Sequence, residues 1–196
     1  REGMGSFRKQ EDRRQGLLLP PSPSDWLPEG HLAWFVIDAV EQLDIDALLK
    51  KYRDGGKGEL AYPPQVMLAL LIYAYCTGTF ASRKIAAQIE DSVAFRVIAA
   101  GLTPHHRTIC RFREEHLDEF QRLFVQVVQL AKEAGLVKMG TIAIDGSKLK
   151  ANASKHKAMS YDRMLMEEKK LRSEIRKLTQ AAREQDDIDD QDFGPD

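Results

Sequence analysis

Val66 to Cys76 is an unbroken run of apolar and aromatic residues, set directly behind the pair Pro63-Pro64. Proline is tolerated in the first turn of a helix and disrupts what precedes it, so the pair marks a helix start. A helix over Gln65–Cys76 is apolar nearly all round. It must therefore lie where other helices cover every side of it, at the centre of a bundle. The run is about half of the roughly 20 residues needed to cross a bilayer. A buried core helix is expected, closed by Gly78, with no membrane partner.

The flanking sequence supplies the covering helices. Upstream, Pro20, Pro21 and Pro23 enforce an extended lead-in. Leu32, Phe35, Val36, Ala39, Val40 and Leu43 then recur at helical spacing. Asp44 or Asp46 is placed to cap a short helix carrying Ala47, Leu48 and Leu49, and Gly55, Gly56 and Gly58 make a joint. Downstream, Ser82 is expected to cap a helix that turns Ile85, Ala86 and Ile89 inward. A break at Asp91-Ser92 leads to a short helix over Val93–Ala99, ended by Gly101. Thr108 is placed to cap one long helix with Ile109, Phe112, Phe120, Leu123, Phe124, Val127 and Leu130 on one side, stopping at Gly135.

The period then changes. Thr141-Ile142-Ala143-Ile144-Asp145 reads as a short strand, followed by Lys148, Lys150, Lys155 and Lys157. Beyond Ser160 a helix resumes, with Met164, Leu171 and Leu178 seven apart and Ile175 and Ala182 between them. Glu168 weakens this seam, and the expected element is a long helix projecting from the body as an arm. From Asp186 the chain is acidic and disorder is expected. The expected organisation is a flexible segment at 1–24, a helical domain at 25–137, a strand and basic loop at 138–158, a helical arm at 159–185 and an acidic tail at 186–196. The fold class expected is mainly α.

The formal net charge is -1, but the charge is segregated. Glu184 to Asp196 holds seven acids and no base, whereas Arg83 to Arg113 holds six Lys or Arg against Glu90 and Asp91. Segregation of this kind hints at a polyanion partner. The two cysteines, Cys76 and Cys110, lie in apolar helical patterns without metal-ligand spacing, which suits a reducing compartment. No secretory signal is legible, and a cytoplasmic protein is expected.

Two groups of residues carry possible chemistry. Asp145 ends the strand beside Gly146, which suits one carboxylate ligand of a metal-dependent phosphoryl-transfer site; capping of a turn is the other reading. Lys148 and Lys150 could neutralise phosphates or simply belong to a solvated loop. The block from Arg83 and Lys84 to Arg113 resembles a helix-turn-helix region, with Arg107, Thr108, Arg111 and Arg113 near the start of its last helix, where such motifs place DNA contacts. The loop at 101–107 is longer than that motif usually has, and a bundle with a charged face is the alternative. His105 and His106 are adjacent and point apart, which makes them a poor metal pair. Asp187, Asp189 and Asp190 lie in the expected tail, without the rigid support a catalytic carboxylate needs.

Several stretches in order resemble transposases of bacterial insertion sequences with an InsH-like N-terminal domain and a DDE catalytic domain. They are Leu27-Pro28-Glu29-Gly30-His31-Leu32, Tyr62-Pro63-Pro64-Gln65-Val66-Met67-Leu68, Ser82-Arg83-Lys84-Ile85, the Pro104-x-His106-x-Thr108-x-x-Arg111-Phe112-Arg113 run, and Ala143 to Ser154 with its Asp145-Gly146-Ser147-Lys148 block. His105 stands where Asp is common and Ser147 where Thr is common. The resemblance implies that Asp145 is the first acid of the DDE triad, on the first strand of an RNase H-like α/β domain, and that it binds Mg²⁺. It also implies that the helical domain binds DNA at transposon terminal repeats, in a nucleoid-associated homo-oligomer or together with a full-length transposase. The later strands and acids of such a domain are not legible after Asp145. The expectation is thus the front portion of a transposase, binding DNA without cutting it alone. The alternative is a non-catalytic DNA-binding regulator or inhibitor of the full enzyme, and a third reading is a helical interaction module that pairs through its arm.

Overall fold

The computed structural model describes residues 22–50, 52, 61–136 and 161–193. The expected strand at 141–145, with Asp145, Lys148 and Lys150, lies outside them, as does the Gly55–Gly58 joint. The described residues are mainly helical and include no strand. The elements are α1 (Pro23–Trp26), α2 (Leu32–Glu41), α3 (Asp46–Leu49), α4 (Pro64–Cys76), α5 (Ser82–Asp91), α6 (Val93–Ile98), α7 (His106–Glu115), α8 (Leu117–Glu133) and α9 (Tyr161–Phe193).

Helix α4 is the hub. Every residue from Met67 to Cys76 is buried, and α2, α6 and α7 pack around it. Burying each of Leu68, Leu70, Leu71 and Ile72 contributes about 1.5–3 kcal/mol, so this one helix dominates the core. Its Tyr75 ring meets Phe80 and Phe120 edge-on at 5.5 Å, and Phe124 at 6.1 Å. Gly78 ends the helix with φ +80°. There the Thr79 amide donates to the Ala74 carbonyl at 2.8 Å and the Gly78 amide to Tyr75 at 3.2 Å, a Schellman closure that satisfies two terminal carbonyls. Gly135 closes α8 in the same way, through Leu136 to Ala131 and Gly135 to Lys132.

Four details differ from the sequence reading. Ser82 does not cap α5: Ala81 is the N-cap, and Ser82 is the first helical residue, buried and bonded elsewhere. Thr108 does not open a helix either. Helix α7 begins at His106, where the His105 side chain accepts from the Arg107 amide at 3.4 Å. The long helix expected from Thr108 is broken at His116, whose backbone leaves helical geometry at φ −121°, ψ 24°. The buried His116 ring lies 4.9 Å from Phe112 and stacks on Tyr52 at 5.7 Å, so the break coincides with an aromatic cluster.

The fourth difference is the largest. Helix α9 neither projects as an arm nor dissolves at Asp186. It continues to Phe193 and packs on α8 and α5. Leu171, Ile175 and Ala182, the seam legible in the sequence, are buried within the common core. The helix runs antiparallel to α7 and α8: Gln121 meets Thr179 at 2.8 Å and Arg113 meets Asp186 at 2.6 Å, so numbers rise on one side and fall on the other.

Candidate nucleic-acid interface

Helices α5, α6 and α7 form one packed unit, with α5 against both others. Ser92 alone separates α5 from α6, and a loop from Ala99 to His105 leads to α7. Ala100 and Gly101 turn that loop with φ of +52° and +78°. Both α5 and α7 are two-faced. Ile85 and Ile89 of α5, and Ile109 and Phe112 of α7, point into the core. Lys84, Arg107 and Arg111 are exposed, while Arg83 and Thr108 are half-buried. Four residues apart on a helix, Arg107 and Arg111 share one face.

Arg113 belongs to the other face. The sequence reading grouped it with the DNA contacts, but it is only 1% exposed. Its Nη2 donates to Asp186 Oδ2 at 2.6 Å, and its Nη1 donates to the Tyr75 hydroxyl at 3.4 Å. It cannot reach a surface ligand and is removed from that set. Asp186 also accepts from the Ser82 amide and from the Ser82 hydroxyl, each at 2.6 Å. One carboxylate from α9 thus holds α5 and α7 together through three donors, beneath α4. A buried charge is tolerated only when paired and hydrogen-bonded in this manner.

The electrostatics follow from the burial. Desolvation works against the Arg113 charge, but Tyr75 and Asp186 outweigh it and the guanidinium pKa is raised. Burial pushes the Tyr75 hydroxyl up to about 12, against the pull of Arg113. Burial likewise pushes the Cys76 thiol to about 12 and the Cys110 thiol to about 11, the latter with help from Asp186. Neither thiol is a nucleophile at neutral pH.

Outside this clasp, a cleft of about 140 Å³ opens between α5, α7 and the end of α9. Arg83, His106, Arg107 and Arg111 line it on one side, and Asp189 and Asp190 on the other, with Asp186 and Glu114 also at its walls. Arg83 Nη2 lies 3.3 Å from Asp190 Oδ1, an ion pair whose side chains are 21% and 61% exposed. The structure therefore gathers Arg83, Arg107 and Arg111, leaves Lys84 outside the cleft, and turns Arg113 inward. Sequence reasoning missed Asp186. The signal was present: the seam Leu171, Ile175, Leu178, Ala182 extended by four residues falls on Asp186, an acid at a core-facing position. Among the described residues, no three His, Cys, Asp or Glu gather as a metal site.

No described helix is long and apolar enough to cross a membrane. Residues 21–115 match a family model described as Transposase domain (DUF772). The match runs from just before α1 to Glu115, the last residue of α7, and takes in Arg83, Arg107, Arg111 and Arg113. No curated protein matches the chain, and no solved structure does.

Proposed function

We propose, from the match of residues 21–115 to the Transposase domain (DUF772) family model, that this chain serves DNA transposition and that the exposed face of α5 and α7 holds duplex DNA. The observation that carries the reading is the convergence of Arg83, Arg107 and Arg111 on one cleft edge, with the apolar sides of both helices locked in the core. Cations fixed on rigid helices neutralise phosphates without first paying to be ordered. Lys84, exposed beside them on α5, extends the basic surface. Thr108, half-buried on α7, is a candidate for a hydrogen bond to a phosphate. Lys148 and Lys150 add to the same electrostatic role, and Asp145 is the proposed first carboxylate of the strand-transfer site.

The test is a duplex titration at two salt concentrations, comparing the wild type with Arg107→Ala/Arg111→Ala. Each lost phosphate contact should weaken binding and flatten the plot of log affinity against log salt by about 1. An unchanged slope in the double variant would remove α7 from the DNA surface. Terminal-repeat recognition requires the native end sequence to bind tighter than a scrambled duplex of equal length at the same salt.

A further inference from the structure

The acidic run of α9 sits where helix physics opposes it. Asp186, Asp187, Asp189, Asp190 and Asp192 occupy the C-terminal end, and the last turn carries no base. The negative end of the helix dipole disfavours acids there, and Lys or Arg would be the stabilising choice. The helix nonetheless continues to Phe193. Asp186 and Asp190 both tie this end to the basic unit. Asp186 is anchored in the core by Ser82 and Arg113, and one turn later Asp190 reaches Arg83 at 3.3 Å.

We propose that the acidic end of α9 is a built-in competitor for the cation face of α5 and α7, occupying it as a phosphate backbone would until DNA displaces it. The inference rests on the nucleic-acid reading of that face. Charge density supports the substitution. At a rise of 1.5 Å per residue, the four acids Asp187, Asp189, Asp190 and Asp192 amount to about one charge per 2 Å of axis; duplex DNA carries about one per 1.7 Å. The two contacts differ in strength. The Asp186 pair is buried and holds, whereas the Arg83–Asp190 pair joins a half-buried arginine to an exposed aspartate, which makes it weaker and open to screening by salt. Asp186 therefore acts as the hinge, and residues 187–193 are the part that leaves. Once DNA takes Arg83, those turns keep the unfavourable dipole and lose the cation that offset it, so they unwind.

The experiment uses the full chain, wild type against Asp189→Asn/Asp190→Asn, with one short duplex and fluorescence anisotropy at two salt concentrations. A control variant, Asp38→Asn/Glu41→Gln, removes the same charge from the exposed side of α2. The α9 variant should bind about five- to tenfold tighter, in the range usual for coupled sites, while the control changes little. Equal affinity in wild type and α9 variant overturns the competitor while leaving the DNA-binding face intact, and so does an equal gain in the control. If no form binds duplex at low salt, the DNA reading itself fails and the competitor fails with it. Amide exchange is the second readout: residues 187–193 should exchange faster when duplex is bound, and unchanged or slower exchange overturns the proposal.

Discussion

Arg113 and Asp186 show how one side chain's surroundings reverse its role. An arginine close behind Arg107 and Arg111 in sequence lies on the opposite side of α7, because Ile109, Phe112 and Arg113 share the inward face. Removing its partner leaves a charge buried without compensation, and breaking such a pair costs about 3–5 kcal/mol. Asp186→Ala should therefore lower the stability found by urea denaturation by about that much, and Asp186→Asn by less, since an amide oxygen still accepts from Ser82. Equal midpoints for wild type and Asp186→Ala would show that the clasp is not structural. Tyr75, Cys76 and Cys110 make the fold sensitive to alkali. Their folded pKa values lie above their ordinary 10.0, 9.0 and 9.0, at about 12, 12 and 11. A raised pKa contributes stability that is full below the ordinary value and is lost as pH rises through the folded one. Unfolding free energy should be insensitive to these groups up to about pH 9 and then fall towards pH 12, by on the order of 1 kcal/mol per pH unit from the buried Tyr75 and Cys76, with half-exposed Cys110 adding less because solvent screens it. Urea midpoints at pH 8 and pH 10.5 check this, and a higher midpoint at pH 10.5 would contradict it.

At the scale of elements, α4 and α9 are opposites. Helix α4 is buried all round and needs no pattern to find its place. Helix α9, with 33 residues, is held by a narrow seam on an otherwise charged helix. Its placement depends on a few side chains, chief among them Ile175, which is fully buried. Ile175→Ala should cost about 2–4 kcal/mol through lost transfer energy and the cavity left behind. Hydrogen exchange should show where the loss falls: amides of α9 lose more protection than those of α4. Uniform loss across both would mean that α9 and the α4 core open only together.

For the whole molecule, a net charge of -1 hides a separation that the fold partly cancels, since it lays acidic turns against basic ones. Binding to DNA should then follow the local cations rather than the total. Arg111→Ala is expected to weaken duplex binding and Asp145→Ala to leave it nearly unchanged, because a carboxylate, proposed here as a metal ligand, adds no attraction for phosphate. Equal losses in anisotropy titrations of the two variants would contradict the roles assigned to them.

Much of the helical order was legible from residues alone. Pro63-Pro64 with the apolar run to Cys76 specified the central helix, and Gly78, Gly101 and Gly135 marked helix ends. Backbone preference and hydrophobic periodicity are local properties, and they act before any tertiary contact forms. The seam of α9 was legible too, but not what it would bury against. Only the tertiary structure decided that the acidic run stays helical, that Asp186 enters the core, and that Arg113 turns inward while Arg107 and Arg111 remain at the surface. Those outcomes depend on charges more than 70 residues apart in sequence meeting where water is excluded. There the interaction of opposite charges outweighs the local tendency of an acidic helix end to unravel.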